Sequence, residues 1–391
     1  MAYLATIDTR IDIDSKSSIW SIVYLSVLGP AMFILQPGYV QGLVEYAGFS
    51  EEQAGLVAAF EMFGIAATAV LINLFVDRFN WRTLALIFVL VSLMGNLLSI
   101  NQTDFNALRA IRFLAGIGSG GLISITFTMM GLTTRSDRNM GLIVTMVLVW
   151  GALGLFVMPA LFQSFGVNGF MWVLVILSAL GLFAIRYLPC FYQDEQKSRE
   201  QGSRVSPALR SAMLAGILLY NLAIGIVWVY LFLVGIEAAI AEQTVANILT
   251  VSQVLGIGGA LVAFFLEARV GRLIPLQVSI IGAAIGIALI LGEPTLVLYA
   301  VGVCLFNFLW NVTQPYLVAM CAAYDNQSHL VAKGVAMQMI GYAIGPTVAA
   351  MLLKLGGYTG VNTIAVVLFL ASALVIAASL IAIGKLTNSA V

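Results

Sequence analysis

Two charged residues deep in apolar surroundings are the strongest chemical signal in this chain. Glu61 is the only carboxylate set well inside a long apolar stretch, and Arg112 runs inward from the same side on another. Counted from Ala54 at about 1.5 Å per helical residue, Glu61 stands roughly 10 Å below the start of its stretch. A charge at that depth costs at least a few kcal/mol, so Glu61 is expected to be neutral, paired or facing a wet cavity. An acid so placed can trade its charge for a proton, which is what proton coupling requires. Arg112 keeps its charge at any relevant pH. It can hold Glu61 in a structural pair, or receive an anionic solute group through a bidentate contact. A pair broken by protonation or by substrate would join these two roles.

A second set of polar residues carries no charge. Asn307, Asn311 and Gln314 follow i, i+4, i+7 spacing and so share one helix face, with Trp310 beside them. Tyr220, Asn221 and Trp228, then Gln253, then Gln338 and Tyr342 add polar or amphipathic groups in three other apolar stretches. Gln36-Pro37-Gly38-Tyr39 places a proline break beside two polar side chains, and freed backbone groups are tolerated mainly where they meet protein or water. Amides also hold helices together without any ligand. As a set, these residues are expected to line a polar central cavity and to contact a small-molecule substrate.

Other chemistries find little support. His329 is the only histidine, and Cys190, Cys304 and Cys321 have no metal-ligand spacing, so no metal or disulfide framework is expected. No nucleophile–base constellation stands in the apolar stretches, which argues against an enzyme. No GxxxxGK[ST] loop is present, so the chain has no nucleotide motor of its own; no cofactor is expected, and a proton gradient is the expected energy source. The formal net charge is zero, which removes the basic field that nucleic acid requires.

The elements that must position these residues are membrane helices. With 61% hydrophobic and 9% charged residues and a mean hydropathy of +1.03, a soluble fold could not cover its surface with polar groups. Apolar stretches predict twelve spans at 19–44, 53–76, 82–100, 106–131, 141–163, 168–190, 209–236, 243–266, 273–292, 294–321, 332–355 and 360–384. The fold class is therefore all-α and polytopic, with the lipid bilayer as solvent. The longest polar interval predicts a linker over 191–208 between six-span halves at 1–190 and 209–391. Arg10, Lys16, Arg78, Arg82, Arg135, Arg138, Lys197, Arg199, Arg204, Arg210, Arg269, Arg272, Lys333 and Lys385 all fall on one side of this layout. Glu45, Glu51, Glu52, Asp104, Glu237, Glu242 and Glu293 collect on the other. The positive-inside rule then puts both termini in the cytoplasm. Short loops suit a bacterial inner membrane.

The halves echo one another. Glu61-Met-Phe-Gly-Ile in span 2 aligns with Gln253-Val-Leu-Gly-Ile in span 8, and a short basic turn follows each: Asp77 to Arg82, and Glu267 to Arg272. Such repeats place a transporter's site near the midplane, at their interface. At Asn73-Leu-Phe-Val-Asp-Arg-Phe-Asn-Trp-Arg82 the chain resembles the major facilitator superfamily, whose signature between helices 2 and 3 reads G-x-L-x-D-R-x-G-R-R. Asp77, Arg78 and Arg82 match, Asn73 and Asn80 replace the glycines, and Trp81 replaces one basic residue. The second copy keeps Arg269, Gly271 and Arg272 but has Ala268 where the acid belongs. Arg112, Gly116, Gly118 and Gly120 match the R-x-x-x-G-x-G-x-G of helix 4, although these glycines read as close helix packing rather than a phosphate site. The G-x-x-x-G-P of antiporters is displaced in span 5 (Gly151, Gly154, Pro159), whereas span 11 carries Gly341 to Pro346.

The resemblance implies two pseudo-symmetric six-helix bundles, alternating access, a monomer, and a gate at Asp77, Arg78, Arg82, Arg269 and Arg272. It leads to a secondary active transporter of a small organic solute, monoanionic or neutral and amphipathic, coupled to protons. The alternatives are proton-driven efflux of drug-like compounds and a non-transporting sensor on the same scaffold.

Overall fold

A computed structural model of the protein describes residues 11–72, 79–190, 205–266, 271–324 and 329–388. Among them the chain is helical throughout, with no strand. Span 1 is built in three pieces: α1 (Lys16–Leu28), α2 (Ala31–Ile34) and α3 (Gln36–Ala47). It breaks at Gly29-Pro30 and again at Leu35. Pro37 falls in the first turn of α3, where a missing N–H costs nothing, so the break stands just before the expected proline. Then follow α4 (Glu51–Ile72), α5 (Trp81–Leu98), α6 (Phe105–Gly131) and α7 (Ser136–Ala184). The second half holds α8 (Pro207–Glu237), α9 (Glu242–Leu266), α10 (Leu273–Ala288), α11 (Leu296–Ala323) and α12 (His329–Asn388).

Two of these helices each contain a pair of the expected spans. The 49-residue α7 breaks at Gly166, and the 60-residue α12 at Gly356 and Gly357. Gly166 (φ 60°) and Gly357 (φ 57°) take a left-handed backbone that a side chain would oppose. Both breaks fall in the intervals left between spans 5 and 6 and between spans 11 and 12. Side-chain caps mark several starts. Asn80 accepts from the backbone of Arg82 and Thr83, Asp104 from Ala107, and Ser206 from Leu209 ahead of Pro207.

Close packing divides the described residues into two units. Unit 1 holds the chain up to Ile34, then Phe60–Trp150 and from Leu161 to the end of span 6. Unit 2 holds Leu35–Ala59, Gly151–Ala160 and the whole described second half. Packing therefore does not follow the sequence halves, because α3 and the first turns of α4 pack with α8. Within unit 1, α4 and α6 cross almost backbone to backbone. A Cβ at Gly116 would stand 2.1 Å from Glu61 O, and one at Gly120 would stand 2.3 Å from Ile65 O. The glycine run of span 4 is thus a packing surface, as its composition suggested. That crossing sets Arg112 beside Glu61.

Candidate functional site

In unit 1 the two deep charges meet. Arg112 donates from Nη2 to Glu61 Oε1 at 2.5 Å and from Nε to Oε2 at 3.1 Å, a bidentate pair linking α6 to α4. Its Nη1 donates to Asn96 Oδ1 at 2.8 Å and to Ser99 Oγ at 3.4 Å, and Asn96 donates onward to Ser178 Oγ. Glu61 is 2% exposed and Arg112 1%. An ion pair enclosed this fully is tolerable only when its remaining donors are also satisfied, and the span-3 amide and hydroxyl serve that need. The guanidinium is engaged by protein on three nitrogens, a geometry that favours the paired role of Arg112 over an anion subsite. Asn96, Ser99 and Ser178 were not singled out from the sequence. Asn96, the one amide of span 3, was the available signal.

In unit 2 the uncharged residues form two hydrogen-bonded clusters along α11. Asn307 donates to Ser252 Oγ (3.0 Å) and Gln253 Oε1 (3.3 Å), tying α11 to α9, and Asn311 donates back to Asn307 O and Oδ1 (both 2.9 Å). One turn on, Gln314 donates to Asn221 Oδ1 (3.0 Å) on α8 and to the Tyr342 hydroxyl (2.6 Å) on α12, and accepts from Gln338. Trp310 donates to the same hydroxyl at 3.1 Å and meets Trp228 edge to face, with centroids 5.4 Å apart. The structure therefore brings together Asn221, Trp228, Gln253, Asn307, Trp310, Asn311, Gln314, Gln338 and Tyr342. Tyr220 lies one residue before Asn221 and packs edge-on against Phe369. Gln36 and Tyr39 are buried in α3.

The basic residues of the expected gate divide. Asp77, Arg78 and Arg269 lie outside the described residues. Arg82 belongs to unit 1, where its Nε donates to Leu188 O while the Trp81 N–H donates to Cys190 O at 2.9 Å, so this turn holds the end of span 6. Arg272 stands at the cap of α10. Arg109 covers the rings of Phe60 and Phe105 at 5.2 and 5.1 Å.

Unit 2 also carries a polar rim that was not foreseen. Tyr46 of α3 donates to both oxygens of Glu242 (2.9 and 3.2 Å), Tyr230 of α8 donates to Glu51 O (2.9 Å), and Lys354 pairs with Glu52 at 2.9 Å. Gly55 sits under the Tyr230 hydroxyl, where a Cβ would come within 2.1 Å. Just past its span, Glu237 has its carboxyl raised above the ordinary range, first by partial burial and then by the neighbouring charges of Glu51 and Glu293. No group of three or more metal-ligating side chains is found among the described residues.

Comparison with known proteins supplies a frame. The family model described as Major Facilitator Superfamily matches residues 22–329. A protein of Bacillus subtilis (strain 168), NiaP, provisionally named a niacin/nicotinamide transporter, is 28% identical over 149 residues. That match spans 38% of this chain and 37% of the relative's length. Among solved structures, the nucleoside transporter NupG aligns with a TM-score of 0.69 at 14% identity, covering 93% of this chain and 98% of that one. The human organic anion transporter MFSD10 (TETRAN) aligns with a TM-score of 0.66 at 16% identity, covering 92% and 97%. At such identities these likenesses concern the fold.

Proposed function

The chain belongs to the Major Facilitator Superfamily, and from that premise we propose that it is a secondary active transporter of a small organic solute, coupled to protons through Glu61 and Arg112. The observation that carries the coupling is the enclosed bidentate pair between α4 and α6. Protonating Glu61 removes the countercharge of Arg112 and leaves the guanidinium among neutral partners, Asn96 and Ser99 with them. The cost of an unbalanced buried cation then becomes available to shift the helices that hold it. The uncharged clusters of unit 2, with Trp228 and Trp310, form the substrate wall. Its chemistry suits a small amphipathic solute, monoanionic or neutral, and the relatives' names (niacin or nicotinamide, nucleosides, organic anions) are compatible with that range. In this reading the protein works as a monomer in a bacterial inner membrane with both termini cytoplasmic. The basic turns at Asp77, Arg78, Arg82, Arg269 and Arg272 serve its cytoplasmic side.

Glu61→Gln tests the coupling, because the amide keeps the shape and loses the titrating proton. In proteoliposomes, uptake driven by an imposed proton gradient should fall to background while solute counterflow persists. Gradient-driven accumulation at the wild-type level would place coupling elsewhere and reduce Glu61 to a structural partner of Arg112.

A further inference from the structure

The polarity of the hydrogen bonds around Arg112 carries the coupling reading one step further and rests on it. A guanidinium can only donate, so a hydrogen-bond partner must turn an oxygen toward it. Backbone carbonyls fix which atoms do. Leu174 O takes the Ser178 hydroxyl hydrogen at 2.8 Å, so Ser178 Oγ is left to accept from Asn96 Nδ2 at 3.3 Å. The amide is thereby held with its Oδ1 toward Arg112 Nη1, 2.8 Å away. Gly95 O takes the Ser99 hydroxyl hydrogen at 2.8 Å in the same way, which leaves Ser99 Oγ facing Nη1 at 3.4 Å. The donors of this relay all run one way, from Arg112 on α6 through Asn96 on α5 to Ser178 in span 6. Asn96 is 4% exposed and Ser178 0%, so bulk water does not replace either.

Few other charges stand on the helices that pack here. On α6 the next is Arg109, whose guanidinium covers the rings of Phe60 and Phe105. In α5 the only charge is Arg82, in the first turn, and residues 167–185 of span 6 have none. Glu51 and Glu52 stand at the start of α4, and Lys16 at the start of α1, which also packs on α6. Spans 3 and 6, which hold the relay, therefore bring Arg112 oxygens but no carboxylate.

We propose that Asn96, held by Ser178, is a positioning residue for proton coupling: its oxygen is the seat that Arg112 keeps when Glu61 is neutral, and it sets the pH at which the pair exchanges its proton. While Glu61 is charged, it balances the guanidinium and the amide oxygen adds little. Once Glu61 is protonated, the cation stands unbalanced at low dielectric, where a hydrogen bond from an ionised donor is strongest. The seat thus steadies the protonated state more than the intact pair, and losing it should make the proton harder to add. A purely structural role predicts the reverse. A guanidinium loosened from its seat would hold the Glu61 carboxylate less well, and the proton would go on more easily.

The test uses the purified full-length protein in lipid bilayers, with the proton as its only probe. Infrared difference spectra taken from about pH 4 to about pH 9 read the C=O stretch of a buried protonated carboxyl, and loss of the band in Glu61→Gln assigns it. Asn96→Leu should move the midpoint of that band to lower pH by about one unit, the scale of one hydrogen bond to a charged group. Ser178→Ala, at a residue bonded to neither charge, should move it the same way by less. Asn96→Asp gives Arg112 a second countercharge and should bring in the first protonated carboxyl at higher pH. A midpoint that stays or rises in Asn96→Leu would overturn the inference, as would the absence of any Glu61 band across the range. Should Asn96→Leu fail to fold, Ser178→Ala and Asn96→Asp carry the test, and shifts that are not opposite in sign overturn it. Failures of the two readings look different. Opposite shifts, with Glu61→Gln still driven by a proton gradient, leave the seat standing and remove coupling through Glu61. Unmoved midpoints, with Glu61→Gln deaf to the gradient, leave coupling standing and remove the seat.

Discussion

Glu61 in span 2 and Gln253 in span 8 hold matching places in the two sequence repeats, and each accepts a hydrogen bond from a side chain two spans later. In the first repeat the donor is Arg112, in the second Asn307. Both donors are followed by Phe-Leu, so the correspondence extends along the chain: Arg112-Phe-Leu-Ala-Gly beside Asn307-Phe-Leu-Trp-Asn. The same helix crossing thus carries an ion pair in one half and an amide pair in the other. A charged pair can be rewritten by one proton, whereas an amide pair keeps its donors and acceptors fixed across the physiological pH range. Equivalent positions thus carry different chemistry: the first repeat holds a carboxylate that one proton can discharge, and the second an amide pair that no proton alters in that range.

The comparison breaks most directly at the two donors. Arg112→Leu leaves Glu61 buried without its cation and should cost about 3–5 kcal/mol. Asn307→Leu orphans Gln253 Oε1 and Asn311 Nδ2 only in part, since Asn311 also donates to a backbone carbonyl, and should cost about 1–3 kcal/mol. Thermal or denaturant unfolding in one detergent would rank them. The double variant Glu61→Leu with Arg112→Leu should recover much of the loss, because an apolar pair of similar volume escapes the desolvation cost. If Arg112→Leu proves no worse than Asn307→Leu, the two crossings are energetically alike and the charge has no special role.

Much of this was legible beforehand, for physical reasons that also explain what was not. Long apolar runs report membrane spans directly, and the intervals at 164–167 and 356–359 fell on the glycine breaks of α7 and α12. Glu61 and Arg112 could be matched because opposite charges that deep have few alternatives. Asn96, Ser99 and Ser178 could not, since hydroxyls and single amides are common in spans and the register between helices is not written in spacing. The face shared by Asn307, Asn311 and Gln314 was readable from its i, i+4, i+7 pattern. Its division was not. Asn307 reaches α9 while Gln314 reaches α8 and α12, because seven residues of rise carry the longer side chain to a different level of the packing. The double break in span 1 was half seen, as Pro37 marked the region while the chain turns at Gly29-Pro30 and Leu35.

The smallest effect sharpens the contrast from the other side. Unit 2 keeps charge out of its interior clusters, so its own pH response should come from the rim, where Glu237 faces Glu51 and Glu293. Partial burial and these two charges make the Glu237 carboxyl hold its proton more tightly in the folded chain than in the unfolded one. The sign follows: folding is favoured where Glu237 is protonated, and stability is lost as pH rises from the ordinary value of 4.5 through the raised folded value. Glu237→Gln removes that loss. Unfolding temperatures of the wild type and the variant should coincide near about pH 4 and separate by pH 7, with the variant higher. The gap should be well below the effect of Arg112→Leu, because Glu237 is exposed and solvent screens it. A gap that stays constant across the range would mean Glu237 is not raised, leaving the pair in unit 1 as the candidate source of any pH dependence in transport.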